Sequence, residues 1–168
     1  MSRGGIIALI LVLISLICAG VVVVYAKTQG FSAKAQPSRP ERFIAHRLLE
    51  LSYPTSAKTL NNPLQSTPEA LAEGQRHYKH DCSVCHGDDG QGHTEIGLGL
   101  YPKPPNLRHE NDMPDGVLFY IVRNGVRFTG MPGSNDPDLE IWKTVLYIRD
   151  LPNQPVGSQA AANPMKNP

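Results

Sequence analysis

Residues 80–92 read HDCSVCHGDDGQG and contain two of the three cysteines in a chain of 168 residues. Two residues separate Cys82 from Cys85, and His86 follows the second cysteine directly. Proteins use a Cys-x-x-Cys pair as a redox-active dithiol, as half of a zinc site, or for the covalent attachment of haem. Only haem attachment has a specific use for a histidine at the next position.

The two alternatives lack the other residues that they need. A structural zinc ion takes four ligands, and the usual second pair is missing from the sequence. His77 and His80 lie too close to Cys82 to form an independent second arm. A thioredoxin-like dithiol would begin a helix after a hydrophobic strand, whereas Cys82 ends a helical pattern. The motif therefore predicts one covalently attached haem c, with Cys82 and Cys85 bonded to the porphyrin and His86 ligating the iron.

A second axial ligand is predicted 45 residues after His86, at Met131. This methionine stands in the stretch Gly130-Met131-Pro132-Gly133, where the glycines permit unusual backbone angles and the proline stiffens the approach. Such a loop can aim a thioether at an iron atom. Met113 is the rival, but it precedes Pro114 at an expected helix start, where exposure or packing is the better explanation for it.

The N-terminal segment carries no charged residue between Gly4 and Ala26. Residues 6–25 are almost wholly aliphatic, and twenty helical residues span roughly 30 Å, the thickness of the hydrocarbon core of a bilayer. Residues 1–26 are therefore expected to form a transmembrane anchor. An uncleaved signal is a second possibility for this segment. A cleaved signal is a third, because Val24-Tyr25-Ala26 is an acceptable cleavage site. Cys18 lies within this segment, and apolar filler is the favoured explanation for it.

The rest of the chain divides by charge. Residues 27–66 carry six Lys/Arg against two Asp/Glu, and residues 67–151 carry eight Lys/Arg against thirteen Asp/Glu. The acidic part shows no basic stripe interleaved with aromatic residues, so nucleic-acid binding is not indicated. Residues 27–66 are predicted to be a linker with a short amphipathic helix at 41–53, followed by loop at 54–66. The apolar face of this helix could dock on the domain, on the membrane surface or on a partner, and docking on its own domain is favoured. Residues 152–168 are rich in proline and asparagine and are predicted to be a disordered tail.

Three helices are expected within residues 67–151. Thr67-Pro68-Glu69 is a strong helix start, and this helix should run to about Asp81 with Gly74 at a close crossing with the last helix. A second helix should cover 114–124 and stop before Gly125. The last should cover 139–151 and be largely buried. These patterns predict an all-α domain.

The order of these features resembles a class I cytochrome c domain of the compact bacterial membrane-associated type, over residues 68–151. The shared features are Gly74 and Tyr78 before the Cys-x-x-Cys-His motif, Pro105-Asn106-Leu107, Asn124-Gly125, Gly130-Met131-Pro132, and Trp142 and Tyr147 in the last helix. The resemblance implies a class I cytochrome c fold, with three main helices around one haem. The apolar segment of residues 1–26 adds an N-terminal transmembrane helix to this fold.

The resemblance also implies roles for single residues. The carbonyl of Pro105 accepts the Nδ1 proton of His86, with Pro104 as the alternative. Arg123, Arg127 and Tyr101 are candidates to contact the haem propionates. Haem attachment of this type takes place outside the cytoplasmic membrane, which implies a single-pass protein with its haem domain on the periplasmic side. The positive-inside rule alone, which sets Arg3 against the basic linker, would predict the opposite orientation.

The expected function is that of a membrane-tethered monohaem c-type cytochrome. It is predicted to transfer single electrons between redox partners of a respiratory or photosynthetic chain, through a haem ligated by histidine and methionine, and not to be an enzyme itself. Expected partners are a membrane oxidoreductase or oxidase, a soluble donor or acceptor, and membrane lipid around the N-terminal helix. Two alternatives stay open: a permanently bound haem subunit of a larger oxidase or dehydrogenase, and a haem enzyme or sensor with a vacated sixth site.

Overall fold

The computed structural model describes residues 2–30, 32 and 35–155. Every regular element in this part of the chain is helical, and none of its residues forms a strand. The chain divides into two compact units, Met1–Ala35 and Gln36–Pro168.

The first unit consists of one long helix, α1, at Arg3–Gln29. The side chain of Ser2 caps its start by accepting a hydrogen bond from the Gly5 amide at 3.3 Å. The stretch Arg3–Thr28 is long and apolar enough to cross a membrane. A membrane anchor and a signal sequence both have this length and composition.

The second unit begins with α2 at Arg39–Ser52, close to the predicted limits of 41–53. Ser38 and Glu41 form a capping box at its start, and Pro40 occupies the first turn. The sequence predicts that the apolar face of this helix docks on the domain, and this prediction is wrong. Large apolar side chains of the helix are exposed, and none of its residues is buried.

Residues 54–66 are predicted to be loop, but the structure forms a short helix, α3, at Thr55–Thr59. Ala57 in this helix is buried, and α3 packs against the later helix α7 at Asp115–Asn124. The contact is close at Gly116, whose amide donates to the Leu60 carbonyl at 3.0 Å. A side chain at Gly116 would lie 2.3 Å from the Ala57 carbonyl oxygen. Part of the predicted linker therefore packs against the domain.

The helix that starts at Thr67 is confirmed as α4, Pro68–His77, with the Thr67 hydroxyl accepting from the Ala70 amide at 3.2 Å. The backbone then continues through one π-helical turn at Tyr78–Cys82 into α5 at Ser83–His86. The sequence predicts one regular helix to about Asp81. The π turn changes the register of the helix over the residues that end at Cys82, and such turns are frequent at functional sites.

The remaining elements are α6 at Glu95–Gly99, α7, and α8 at Asp138–Asp150, with 3-10 turns at Leu107–Asp112 and Leu151–Asn153. α7 ends at Gly125, which has a φ of 67° that favours glycine. α4 and α8 cross at Gly74, as predicted. The core lies between α4, α7 and α8 and contains Tyr78, Leu118, Trp142, Val145, Tyr147, Ile148 and Leu151. The class I cytochrome c fold, with an added long apolar helix, is confirmed.

The structure differs from the predicted disordered tail at the first residues of that segment. Residues 151–153 form a 3-10 turn, and the Arg108 guanidinium donates to the carbonyl oxygens of Pro152 and Gln154, each at 3.0 Å. Residues 152–154 are therefore ordered against the domain. Residues 156–168 of the predicted tail lie outside the described residues.

Candidate haem-binding site

Cys82, Cys85 and His86 lie on two consecutive helical turns. Cys82 is the last residue of the π turn, and the other two belong to α5. Both cysteines are half-buried and free of any disulfide. Burial, followed by the neighbouring Asp81 carboxylate, raises the pKa of the Cys82 thiol to about 12. The Cys82 thiol is therefore protonated at neutral pH, unlike the low-pKa thiols of redox-active pairs.

His86 is only 8% exposed. Its Nδ1 atom lies 3.3 Å from the carbonyl oxygen of Pro105. Burial lowers the pKa of the imidazole, and the hydrogen bond to Pro105 opposes this effect. A neutral ring that donates from Nδ1 presents the lone pair of Nε2, which is the form that binds a metal.

The backbone after the motif turns sharply at Gly87, whose φ is 80°. The buried hydroxyl of Tyr78 donates to the Gly87 carbonyl at 2.7 Å, and the Gly92 amide donates to the His86 carbonyl at 2.7 Å. Burial raises the pKa of Tyr78, so its hydroxyl stays protonated and remains a donor. These bonds hold the start of the following loop against the helix that carries the motif.

α6 packs directly on the motif, a contact that the sequence analysis missed. The Thr94 hydroxyl donates to the Cys85 carbonyl at 3.1 Å and also accepts from the Gly97 amide at 2.8 Å. A side chain at Gly97 would lie 2.5 Å from the Cys85 carbonyl oxygen. The pair Thr94-Glu95 is a helix-start signal from which α6 could have been predicted.

Apolar side chains are exposed on these same two helices. Val84, Ile96 and Leu98 are each about half exposed, although α5 and α6 pack together. Exposed apolar surface beside a binding motif is typical of a site for an apolar group. The porphyrin ring of a haem is an apolar group of this kind.

Met131 is half-buried in the loop between α7 and α8. Its amide donates to the Thr129 hydroxyl at 3.1 Å, and its carbonyl accepts from the Val126 amide at 3.2 Å. The structure brings Pro105 to His86, whereas the hydrogen bonds of Met131 lie within its own loop. Met113 packs against the hydrophobic core instead.

Two of the three candidate propionate contacts are engaged elsewhere. The Arg123 guanidinium pairs with the Asp138 carboxylate at 2.9 Å and donates to the Asp136 carbonyl. The Tyr101 hydroxyl donates to the Glu41 carboxylate. Arg127 is exposed. In the described structure Arg123 and Tyr101 therefore bind other residues of the protein.

The donor set fits haem c. Two free thiols at the required spacing can add to the porphyrin, and an adjacent buried, neutral imidazole with an anchored Nδ1 can ligate iron. The all-helical fold and this donor set define a c-type cytochrome domain, and its cofactor is covalently bound haem c with its iron.

A family model and one curated relative support the same class. Residues 69–148 match the family model described as cytochrome c oxidase, cbb3-type, subunit III. A thiosulfate dehydrogenase of Stutzerimonas stutzeri (strain A1501) is 25% identical over 134 residues, which are 70% of this chain and 43% of that protein. The chain thus spans less than half the length of this curated relative. A chain of the reducing HAO-like protein complex of Kuenenia stuttgartiensis matches with a TM-score of 0.48 and 22% identity, over 53% of this chain and 46% of that one.

Proposed function

We propose that this chain is a membrane-tethered electron carrier with one haem, bound through Cys82 and Cys85 and ligated by His86 and Met131. The observation that carries the proposal is the buried His86 beside the two cysteines, with Nδ1 3.3 Å from the Pro105 carbonyl. When bound, haem c supplies an iron that takes up and releases one electron.

The residues around the site hold the ligands in place. Pro105 fixes the orientation and tautomer of His86 and raises its basicity as a ligand. The bond from Tyr78 to Gly87 and the packing of α6 fix the turn that carries the cysteines. The hydrogen bonds of Met131 to Thr129 and Val126 fix the backbone from which its thioether extends. A thioether supplied by Met131 would favour the reduced iron, which suits a carrier of single electrons.

The tether in this proposal is α1, retained in the membrane, with the haem domain on the periplasmic side. The length and composition of α1 support a membrane span. Haem attachment outside the cytoplasmic membrane supports the periplasmic side. A tether confines the domain near the membrane and raises its effective concentration at membrane-bound redox partners. The acidic balance of residues 67–151 favours partners with basic docking surfaces.

A permanently bound subunit of an oxidoreductase complex is the second candidate. The description of the matching family model, which names a subunit of an oxidase, favours it. Purification from native membranes in mild detergent separates the two. A carrier would emerge alone, whereas a subunit would bring a stoichiometric partner with it.

Substitution of Met131 and Met113, one at a time, tests whether Met131 ligates the haem iron. The oxidised parent protein is expected to show the weak near-infrared sulfur-to-iron band and to bind carbon monoxide poorly when reduced. Met131→Ala should remove the band, lower the reduction potential and permit carbon monoxide binding. Met113→Ala is the matched control and should change none of these properties. Rapid carbon monoxide binding by the parent would instead support a haem enzyme or sensor.

A further inference from the structure

One apolar surface of the second unit has no cover in the described part of the chain. Ile44, Leu48 and Leu51 recur at helical spacing along α2, and Phe43 lies beside them. Their exposed fractions are 56%, 63%, 79% and 64% respectively. We define these four side chains as the α2 stripe. The three residues of the regular spacing form one continuous line along the helix.

α2 is well capped at its N-terminus, but its apolar face is exposed. The capping box of Ser38 and Glu41 satisfies its first amides, and the Tyr101 hydroxyl contacts Glu41 in the same turn. A 14-residue helix is marginal by itself in water, because most helical stability in proteins comes from packing of the apolar face. A surface that covers the α2 stripe would therefore stabilise the helix.

The position of α2 in the sequence favours a membrane surface as that cover. Nine residues separate the end of α1 at Gln29 from the start of α2 at Arg39. A nine-residue connection reaches at most about 32 Å when fully extended. With α1 in the membrane, α2 must remain within this distance of the headgroups.

The charges favour anionic lipid. Residues 27–66 carry six Lys/Arg against two Asp/Glu, and all three arginines among them, Arg39, Arg42 and Arg47, belong to α2. Basic residues close to a bilayer each contribute about 1 kcal/mol of attraction to an anionic leaflet. The acidic balance of residues 67–151 has the opposite effect, so the haem domain itself is repelled from the same surface.

We infer that α2 lies in the headgroup region of an anionic phospholipid bilayer, with the α2 stripe inserted among the acyl chains. An amphipathic helix in this position buries its apolar face roughly 5–10 Å into the boundary between headgroups and acyl chains. The helix then acts as a second contact beside the anchor and limits how far the haem domain can move from the membrane. This inference rests on the proposed membrane tether.

The test uses the full-length holoprotein in vesicles of phosphatidylcholine and phosphatidylglycerol. In the holoprotein Cys82 and Cys85 are consumed by haem attachment, and Cys18→Ser removes the remaining thiol. Leu48→Cys then places one label on the α2 stripe. His46→Cys is the matched control, since position 46 is about 160° away around the helix, given about 100° per residue. Quenching of the label by neutral aqueous acrylamide and by lipid-borne doxyl groups reports its surroundings.

The label at position 48 is expected to be quenched several-fold less by acrylamide and more by doxyl lipid than the label at position 46. The difference should shrink in pure phosphatidylcholine and at high salt. Equal aqueous quenching at both positions, in protein that floats with the vesicles, would overturn this inference and leave the tether standing. Protein that fails to float would remove the tether and this inference together. Protection that requires a high protein-to-lipid ratio would overturn the inference in favour of a second copy on the stripe.

Discussion

A side chain at Gly74 would lie 2.1 Å from the carbonyl oxygen of Lys143 and 2.7 Å from the carbonyl carbon of the same residue. α4 therefore approaches the backbone of α8 so closely that only glycine fits at this position. The crossing positions the helix that leads into the cysteines. It also places the backbone before Tyr78 against the buried face of α8.

Gly74→Ala tests this crossing. Alanine usually stabilises a helix interior by up to about 1 kcal/mol relative to glycine. Here overpacking against a backbone carbonyl should reverse the sign and cost about 1–3 kcal/mol or more, measured as a fall in the unfolding temperature of the holoprotein. Gly99→Ala is the control, because a side chain there would meet no atom within 4 Å. A stabilised Gly74→Ala variant would contradict the observed crossing.

Tyr78→Phe should destabilise the turn after the motif. The change removes the buried donor at 2.7 Å and leaves the Gly87 carbonyl with only the Gly90 amide, at 3.1 Å, at an expected cost of about 1 kcal/mol in the free energy of unfolding. Tyr120→Phe is the matched control, since the Tyr120 hydroxyl has no hydrogen-bond partner among the described residues. Equal losses in both variants would show that the bond to Gly87 contributes nothing specific.

Covalent haem attachment predicts that haem stays on the chain after acid–acetone extraction and denaturing electrophoresis. The double substitution Cys82→Ala and Cys85→Ala should abolish haem staining, because no thiol then remains at the site to bond the porphyrin. Cys18→Ser should retain full staining, since this cysteine lies in α1. Haem that is extracted from the parent chain would refute the assignment of these two cysteines.

A pH dependence should arise from Glu73 at the α4–α8 crossing. The Lys143 ammonium donates to the Glu73 carboxylate, and this bond lowers the pKa of Glu73 below its usual 4.5. A lowered pKa in the folded state stabilises the protein above the unfolded pKa, and this contribution is lost as the pH falls through the folded pKa. Glu73→Gln should therefore flatten the fall in unfolding temperature below about pH 5.

A double-mutant cycle assigns this effect to the pair. Lys143→Gln should flatten the same part of the pH profile, and adding Glu73→Gln to it should change little further. High salt should reduce the difference between parent and variants, because both side chains are near the surface. An unchanged acid profile in Glu73→Gln would show that the contact does not stabilise the folded state.

The sequence by itself determined the features that depend on neighbouring residues. The haem-attachment motif, the Thr67 cap with Pro68, the stop at Gly125 and the apolar run of α1 are all local patterns whose chemistry needs no distant partner. The fold class and the cofactor follow from such patterns taken in order. The close approach at Gly74 was also predictable, because a glycine in a helix interior needs a packing reason.

Only the tertiary structure decided the features that depend on residues far apart in the chain. It placed Pro105 rather than Pro104 against His86, packed α3 on Gly116, and engaged Arg123 with Asp138. It also left the α2 stripe uncovered, although its spacing alone predicts a docked face. The physical reason is that local patterns show which side chains seek burial or a partner. The partner itself is selected by packing of the whole chain, where backbone approach and competing charges decide between similar candidates.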